Sequence, residues 1–133
     1  MADNLTKAQR SYCMSRVKSK DTTPEKIVRC RLHQRGWRFR KHVKTLPGKP
    51  DIVFTRAKLV VFIDGGFWHG YKYKEWEHKL SEFWKLKISG NIRRSRANTT
   101  ALRKLGWRVL RVWQHDVEKD IEKVITRIES HLQ

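Results

Sequence analysis

The stretch "PGKPDIVFTRAKLVVFIDGGFWHG", Pro47 to Gly70, decides the fold. Two runs rich in β-branched and aromatic residues, "DIVF" and "LVVFID", flank a short polar turn, which is the signature of a β-hairpin. With Arg56 and Ala57 at the centre of the turn, Phe54 falls opposite Leu59 and Asp51 opposite Phe62. Side chains alternate faces along a strand, so Asp51, Phe62 and Asp64 share one face. Asp64 is a diagonal neighbour of Asp51, with backbones roughly 7–8 Å apart. Two carboxylates and the backbone carbonyl of Ile63 thus converge, and a hard cation such as Mg²⁺ takes oxygen ligands. His69 follows shortly after Asp64, placed to act as general base on a metal-activated water. A plainer account has Asp51 capping a turn, Asp64 closing a strand and His69 exposed on a loop.

The charge of the chain bears on that choice. Its 133 residues hold 31 Lys+Arg against 13 Asp+Glu, a formal net charge of +18. A surplus of this size points to a polyanion, with nucleic acid ahead of an anionic membrane surface. Carboxylates paired on a surface that meets phosphate would repel it unless a cation intervened. Six Trp and five Phe among the basic residues suit stacking or wedging against bases. Cys13 and Cys30 make neither a C-x-x-C pair nor a disulfide framework, which fits a reducing compartment. The longest apolar run, Leu59 to Ile63, is too short to span a bilayer, and "MADNLTKAQR" lacks a signal-peptide core. These features predict a soluble, cytoplasmic protein.

Outward from the hairpin, "TTPEKIVRCRLHQRG" predicts a helix. Thr23 is its N-cap, Pro24 its N1 residue, Glu25 lies in its first turn and Gly36 stops it. Ile27, Val28, Arg31 and Leu32 define one face. A strand is expected near Trp37–Lys41, followed by the turn-rich loop "KTLPGKP". Residues 70–80 form a polar, aromatic excursion. "SEFWKLKISGNIRRSRANTTALRKLG" predicts a long helix, broken near Gly90 and stopped by Gly106. "WRVLRVW" reads as a strand, and Ile121, Val124, Ile125, Ile128 and Leu132 recur at helical spacing. Residues 1–22 are basic, with a short helix expected around Lys7–Val17. The order α-β-β-β-α-β-α in one domain, residues 1–133, predicts an α/β fold: a mixed β-sheet with helices on its faces.

The segments "MSRVKSKDTTPEK", "LPGKPDIVF", "VVFIDGGFWHG", "EFWKLKI" and "LGWRVLRVW" carry a resemblance. In this order and spacing the chain resembles the very short patch repair (Vsr) mismatch endonucleases, part of the PD-(D/E)XK nuclease superfamily. The resemblance implies a restriction-endonuclease-like core and a monomeric, Mg²⁺-dependent enzyme that nicks one DNA strand beside a T·G mismatch. It implies that Asp51 is the central metal-ligating aspartate, that Ile63 offers its carbonyl to the metal, that His69 is the base and that Glu25 supports the site. At position 64 the family carries His or Asp, and Asp64 would ligate the cation directly or hold its water. Phe67, Trp68 and Trp84 match aromatics that wedge into DNA beside the mismatch. Met14 matches a residue entering from the opposite groove, which makes residues 1–22 a DNA-contacting segment. Trp84 as a core residue and Met14 as a gap-filler are the plainer readings.

Three departures accompany the resemblance. Many family members hold a structural zinc near the "FWH" motif, whereas Gly66, Tyr71 and Tyr73 stand in the Cys-rich region here. One histidine, His115, does not make a tetrahedral site, and the spacing of His78 and Glu77 does not suit them to complete it, so no structural zinc is expected. Ser95 falls where the family usually has an acid on the long helix. The chain also stops soon after the last helix, so no C-terminal extension is expected to add contacts. Two other functions stay open: a site-specific nicking endonuclease of the same fold without a mismatch requirement, and a catalytically silent DNA-binding module.

Overall fold

The computed structural model describes residues 24–132. Met14, Cys13, the Thr23 cap and the helix expected around Lys7–Val17 lie outside the described residues. Helix α1 spans Pro24–Gln34 and buries Val28 and Leu32, two residues of the expected face. Gly36 ends it with φ of 86°, and the Trp37 N–H returns to the Leu32 carbonyl at 3.1 Å. Strand β1 covers Arg40–Lys41 only, shorter than the expected Trp37–Lys41. Trp37 and Phe39 leave the ladder because both turn their rings edge-on to Phe54, at 6.5 and 5.7 Å.

Strands β2 (Ile52–Phe54) and β3 (Leu59–Asp64) pair antiparallel in the expected register, Phe54 opposite Leu59 and Ile52 opposite Val61. Asp51 lies just before the first ladder residue. Every residue of β3 is buried, because the strand lies between two helical layers. Ile52, Phe54, Leu59, Val61 and Ile63 join α1 and the C-terminal helices in the larger core cluster. Val53, Val60 and Phe62 face the other way and pack with Leu102. A strand buried on both faces reads as a continuous apolar run rather than an alternating one, which is why "LVVFI" is apolar throughout.

After β3 come a short helix, α2 (Tyr73–Trp76), and a 3₁₀ turn, Glu77–Lys79. Helix α3 then runs from Glu82 to Lys104, with Ser81 as N-cap accepting from the Trp84 N–H at 3.5 Å. Gly90 does not break it. This glycine is buried, and a Cβ there would sit 3.3 Å from the Arg94 guanidinium. Helix α3 carries the chain to β4 (Arg108–Trp113), which pairs parallel with β3. The sheet order is β1-β2-β3-β4, mixed in sense as expected.

Two helices close the fold where the residue order gave one: α4 (Gln114–Lys119) and α5 (Ile121–Ser130). Asp120 separates them in an extended conformation and caps α5 by accepting from the Lys123 N–H. Val124, Ile125 and Ile128 fill the larger core as their spacing predicted. Glu129, nearly buried, accepts two hydrogen bonds from Arg35 at 2.9 and 2.8 Å and one from Trp37 Nε1 at 2.7 Å. This clamp ties the end of α1 to α5. Among the described residues, no helix is long and apolar enough to cross a membrane.

Candidate nuclease site

The hairpin register brings Asp51 alongside the end of β3. Its Oδ2 accepts a 2.7 Å hydrogen bond from the Ile63 N–H, so the aspartate is held against the strand that carries Asp64. Burial pushes the Asp51 carboxyl above its ordinary value, and the nearby charges of Glu25 and Asp64 push the same way. The Ile63 N–H and His42 oppose them. Glu25 and Asp64 thus both act on Asp51, where the N-terminus of α1, the start of β2 and the end of β3 meet. A divalent cation beside Asp51 would relieve that repulsion. Among the described residues, no three His, Cys, Asp or Glu side chains group closely enough to hold a metal by themselves. A cation here would therefore draw on backbone or substrate oxygens as well.

Asp64 is buried and faces the α3 side of the sheet. Arg111 Nη1 lies 3.2 and 3.1 Å from its two oxygens, and His69 Nε2 lies 3.7 Å from Oδ1. The other ring nitrogen, Nδ1, is 3.1 Å from the Ser95 hydroxyl. Helix α3 fixes the 65–70 loop at two points one turn apart: Asn91 Nδ2 donates to the Trp68 carbonyl at 3.0 Å, and Ser95 meets His69. Close approach is possible because residue 70 is glycine. It has φ of 71°, and a Cβ there would lie 2.4 Å from Ile92 Cδ1.

Beside His69 the aromatics expected to meet DNA gather into one cluster. The Phe67 ring lies 5.3 Å from Trp68 and 5.7 Å from Trp84, and it stacks on Trp76 at 5.6 Å. Phe67 and Trp68 are each 45% exposed, so almost half of each ring is free to touch a partner. The Lys87 ammonium sits over Trp68 and Trp84 at 5.2 and 5.7 Å. Two cavities meet at His69. One, of about 850 Å³, is lined by Lys72, Lys74, Arg96 and Arg103. The other, of about 300 Å³, is lined by Trp68, Asn91, Arg94 and Asn98. Both are basic, as a phosphate-bearing ligand requires.

Two of the three positions in the region where a zinc set would be sought, Tyr71 and Tyr73, carry rings. Tyr71 packs 4.3 Å from the His115 ring and 5.0 Å from Trp113, while His115 stacks on Trp113. Gly66 makes room for this: a Cβ there would meet His115 Nδ1 at 3.6 Å and Tyr71 Cβ at 3.7 Å. The Tyr73 hydroxyl turns away to the Lys85 carbonyl at 3.4 Å.

Asp51, Ile63, Asp64, His69 and Glu25 therefore fall in one neighbourhood, with Phe67, Trp68 and Trp84 along its rim. Met14 lies outside the described residues. Sequence reading missed Asn91, His42, Trp76 and Arg111. Only Arg111 left a signal, as a charged residue on the side of β4 that packs toward α3.

The chain is similar to known proteins. The profile of the family described as DNA mismatch endonuclease Vsr matches residues 2–76. The type II nicking enzyme V.XorIIP of Xanthomonas oryzae pv. oryzae is 47% identical over 116 residues, covering 86% of this chain and 85% of that protein. The type II nicking enzyme V.NmeDIP of Neisseria meningitidis serogroup C is 44% identical over 124 residues, with 89% and 82% covered. The DNA mismatch endonuclease Vsr of Escherichia coli (strain K12) is 40% identical over 117 residues, with 86% and 74% covered.

Proposed function

Because this chain belongs to the Vsr family and is a DNA endonuclease, we propose that it nicks one strand of duplex DNA beside a T·G mismatch and that its metal is Mg²⁺. Nucleases of this kind are typically metal-dependent. The observation that carries the reading is the junction at Trp68 and His69: a candidate base and a candidate wedge are consecutive residues, each fastened to α3. Insertion of such a wedge costs a few kcal/mol of unstacking, which a mispair lowers.

Asp51 and the Ile63 carbonyl would hold the cation, with Asp64 as a further oxygen ligand or as the group that holds its water, and Glu25 would add negative charge near Asp51. When bound, the cation supplies charge stabilisation at the phosphoryl oxygens. His69 takes the proton of the attacking water at Nε2 as oxygen bonds to phosphorus and the bond to the leaving sugar oxygen breaks. Residues 1–22, Met14 among them, contribute further DNA contacts. The enzyme works as a monomer in the cytoplasm.

A second reading rests on the relatives named as type II nicking enzymes: cleavage at a fixed sequence, with no mismatch needed. Single-turnover cleavage of strand-labelled T·G and matched duplexes separates the two. The proposal expects Mg²⁺-dependent nicking of the T·G duplex in one strand, slowed about 10²–10⁴-fold in His69→Ala. Equal nicking of both duplexes would favour the second reading. No nicking of either would leave a DNA-binding module.

A further inference from the structure

We propose that Arg111 is a positioning residue for the reaction, acting through Asp64 and Ser95 on His69. The inference rests on the reading of His69 as the base and asks what holds that base in place.

Arg111 stands opposite Phe62 in the parallel ladder, with its guanidinium carbon 4.0 Å above the Phe62 ring. From there its donors fan out in three directions. Nε reaches Thr99 Oγ1 at 3.0 Å, Nη2 the Ser95 carbonyl at 3.0 Å, and Nη1 both Asp64 oxygens. One planar group thus spans β4, the end of β3 and one turn of α3. Two of the three residues it grips, Asp64 and Ser95, also approach the His69 ring. A lysine has no rigid fork and reproduces only one of these arms.

Chemistry favours this frame. A base needs one ring nitrogen free for the substrate side and the other engaged. With Ser95 Oγ accepting from Nδ1–H, the lone pair is on Nε2, the nitrogen that faces Asp64. At 3.7 Å the carboxylate is near enough to stabilise the imidazolium once it forms, yet too far to hold the proton on Nε2 of the neutral ring through a direct hydrogen bond. Arg111 sets that distance. Released from it, the carboxylate is free to close on the ring and hold its proton on Nε2, the wrong tautomer for a base there, or to turn to solvent, and Ser95 loses the restraint on its turn of helix. The serine at position 95 and the aspartate at position 64 then make one arrangement: the acid that orients the base stands on β3, and the arginine that steadies it on β4.

The test is a double-mutant cycle read by single-turnover nicking and by DNA binding on the same T·G duplex. Arg111→Met keeps the packing over Phe62 and removes all three arms. Arg111→Lys keeps the charge and serves if the methionine variant fails to fold by circular dichroism. The expected result is a fall in nicking rate of about 10–100-fold for either variant, the usual scale for residues that orient a catalytic group. Binding stays within about twofold, and no further fall appears when the change is added to His69→Ala. A structural role alone would weaken binding, or add its loss to that of His69→Ala. Either result overturns the proposal, as does a parent-rate Arg111→Lys. If His69→Ala itself nicks at the parent rate, the assignment of the base has failed rather than the role of Arg111.

Discussion

Asp51 is the residue proposed to hold the cation, and its energetics carry a prediction. Its carboxyl is raised by burial and by Glu25 and Asp64. A group whose folded value is raised contributes stability at low pH that is lost as pH rises through that value. At neutral pH without divalent metal, the ionised Asp51 is therefore a cost to the fold. Asp51→Asn keeps an oxygen for the Ile63 N–H and removes the charge. In chelator at pH 7 it should melt higher than the parent. Added Mg²⁺ should raise the melting temperature of the parent and leave the variant unmoved, since a ligand stabilises the state that binds it. The variant should not nick. Melting curves with and without Mg²⁺ check this, and an equal Mg²⁺ response in both proteins would move the metal away from Asp51.

At the scale of elements, the clamp on Glu129 decides how α1 and α5 stay together. Burial pushes the Glu129 carboxyl up, but the hydrogen bonds from Arg35 and Trp37 and the Arg35 charge outweigh it, so the net displacement is below the ordinary 4.5. A depressed carboxyl gives stability that is present above the unfolded value and lost as pH falls through the folded one. Glu129→Gln should cost about 1–3 kcal/mol in urea unfolding at pH 7, with the gap to the parent closing in acid below pH 4.5. A gap that stays constant from neutral pH into acid would assign the effect to packing. The ring stack of Tyr71, His115 and Trp113 gives a second expectation: no stoichiometric zinc in the purified protein, and a fold that survives chelator. One tightly held zinc per chain by elemental analysis would refute it.

Much of this was readable in the residues. The hairpin register followed from β-branched runs around a turn, and it alone put Asp51 and Asp64 on one face. The helical spacing of Val124, Ile125 and Ile128 gave α5. Less legible was anything set by a distant partner. Trp37 and Phe39 belong to the core because Phe54 receives them, which shortens β1. Gly90 reads as a breaker, yet a helix of this length tolerates a buried glycine at roughly 1 kcal/mol. Arg111 and Asn91 gain their meaning only from the atoms they reach across the fold.

For the whole molecule, the net charge of +18 sets how it meets DNA. Each phosphate neutralised by Lys or Arg releases condensed counterion, with a slope near −0.9 per contact on a plot of log affinity against log salt. Binding followed by fluorescence anisotropy should therefore weaken steeply from low to physiological salt, for matched and T·G duplexes alike. A flat plot would remove nucleic acid as the principal partner.

The cluster of Phe67, Trp68, Trp76 and Trp84 has its rings in mutual contact before any DNA arrives. On the proposed wedging role, a blade already assembled spends little on its own ordering, so the work of insertion would fall on the duplex. Its speed should then track how willingly the local step of the helix opens. Flexible pyrimidine–purine steps beside the mispair should be cut faster than stiff A-tract steps, even at base pairs the protein never touches. Nicking rates across a set of flanks that differ in stiffness would show this as a ranking by deformability, and rates indifferent to the flank would sever it.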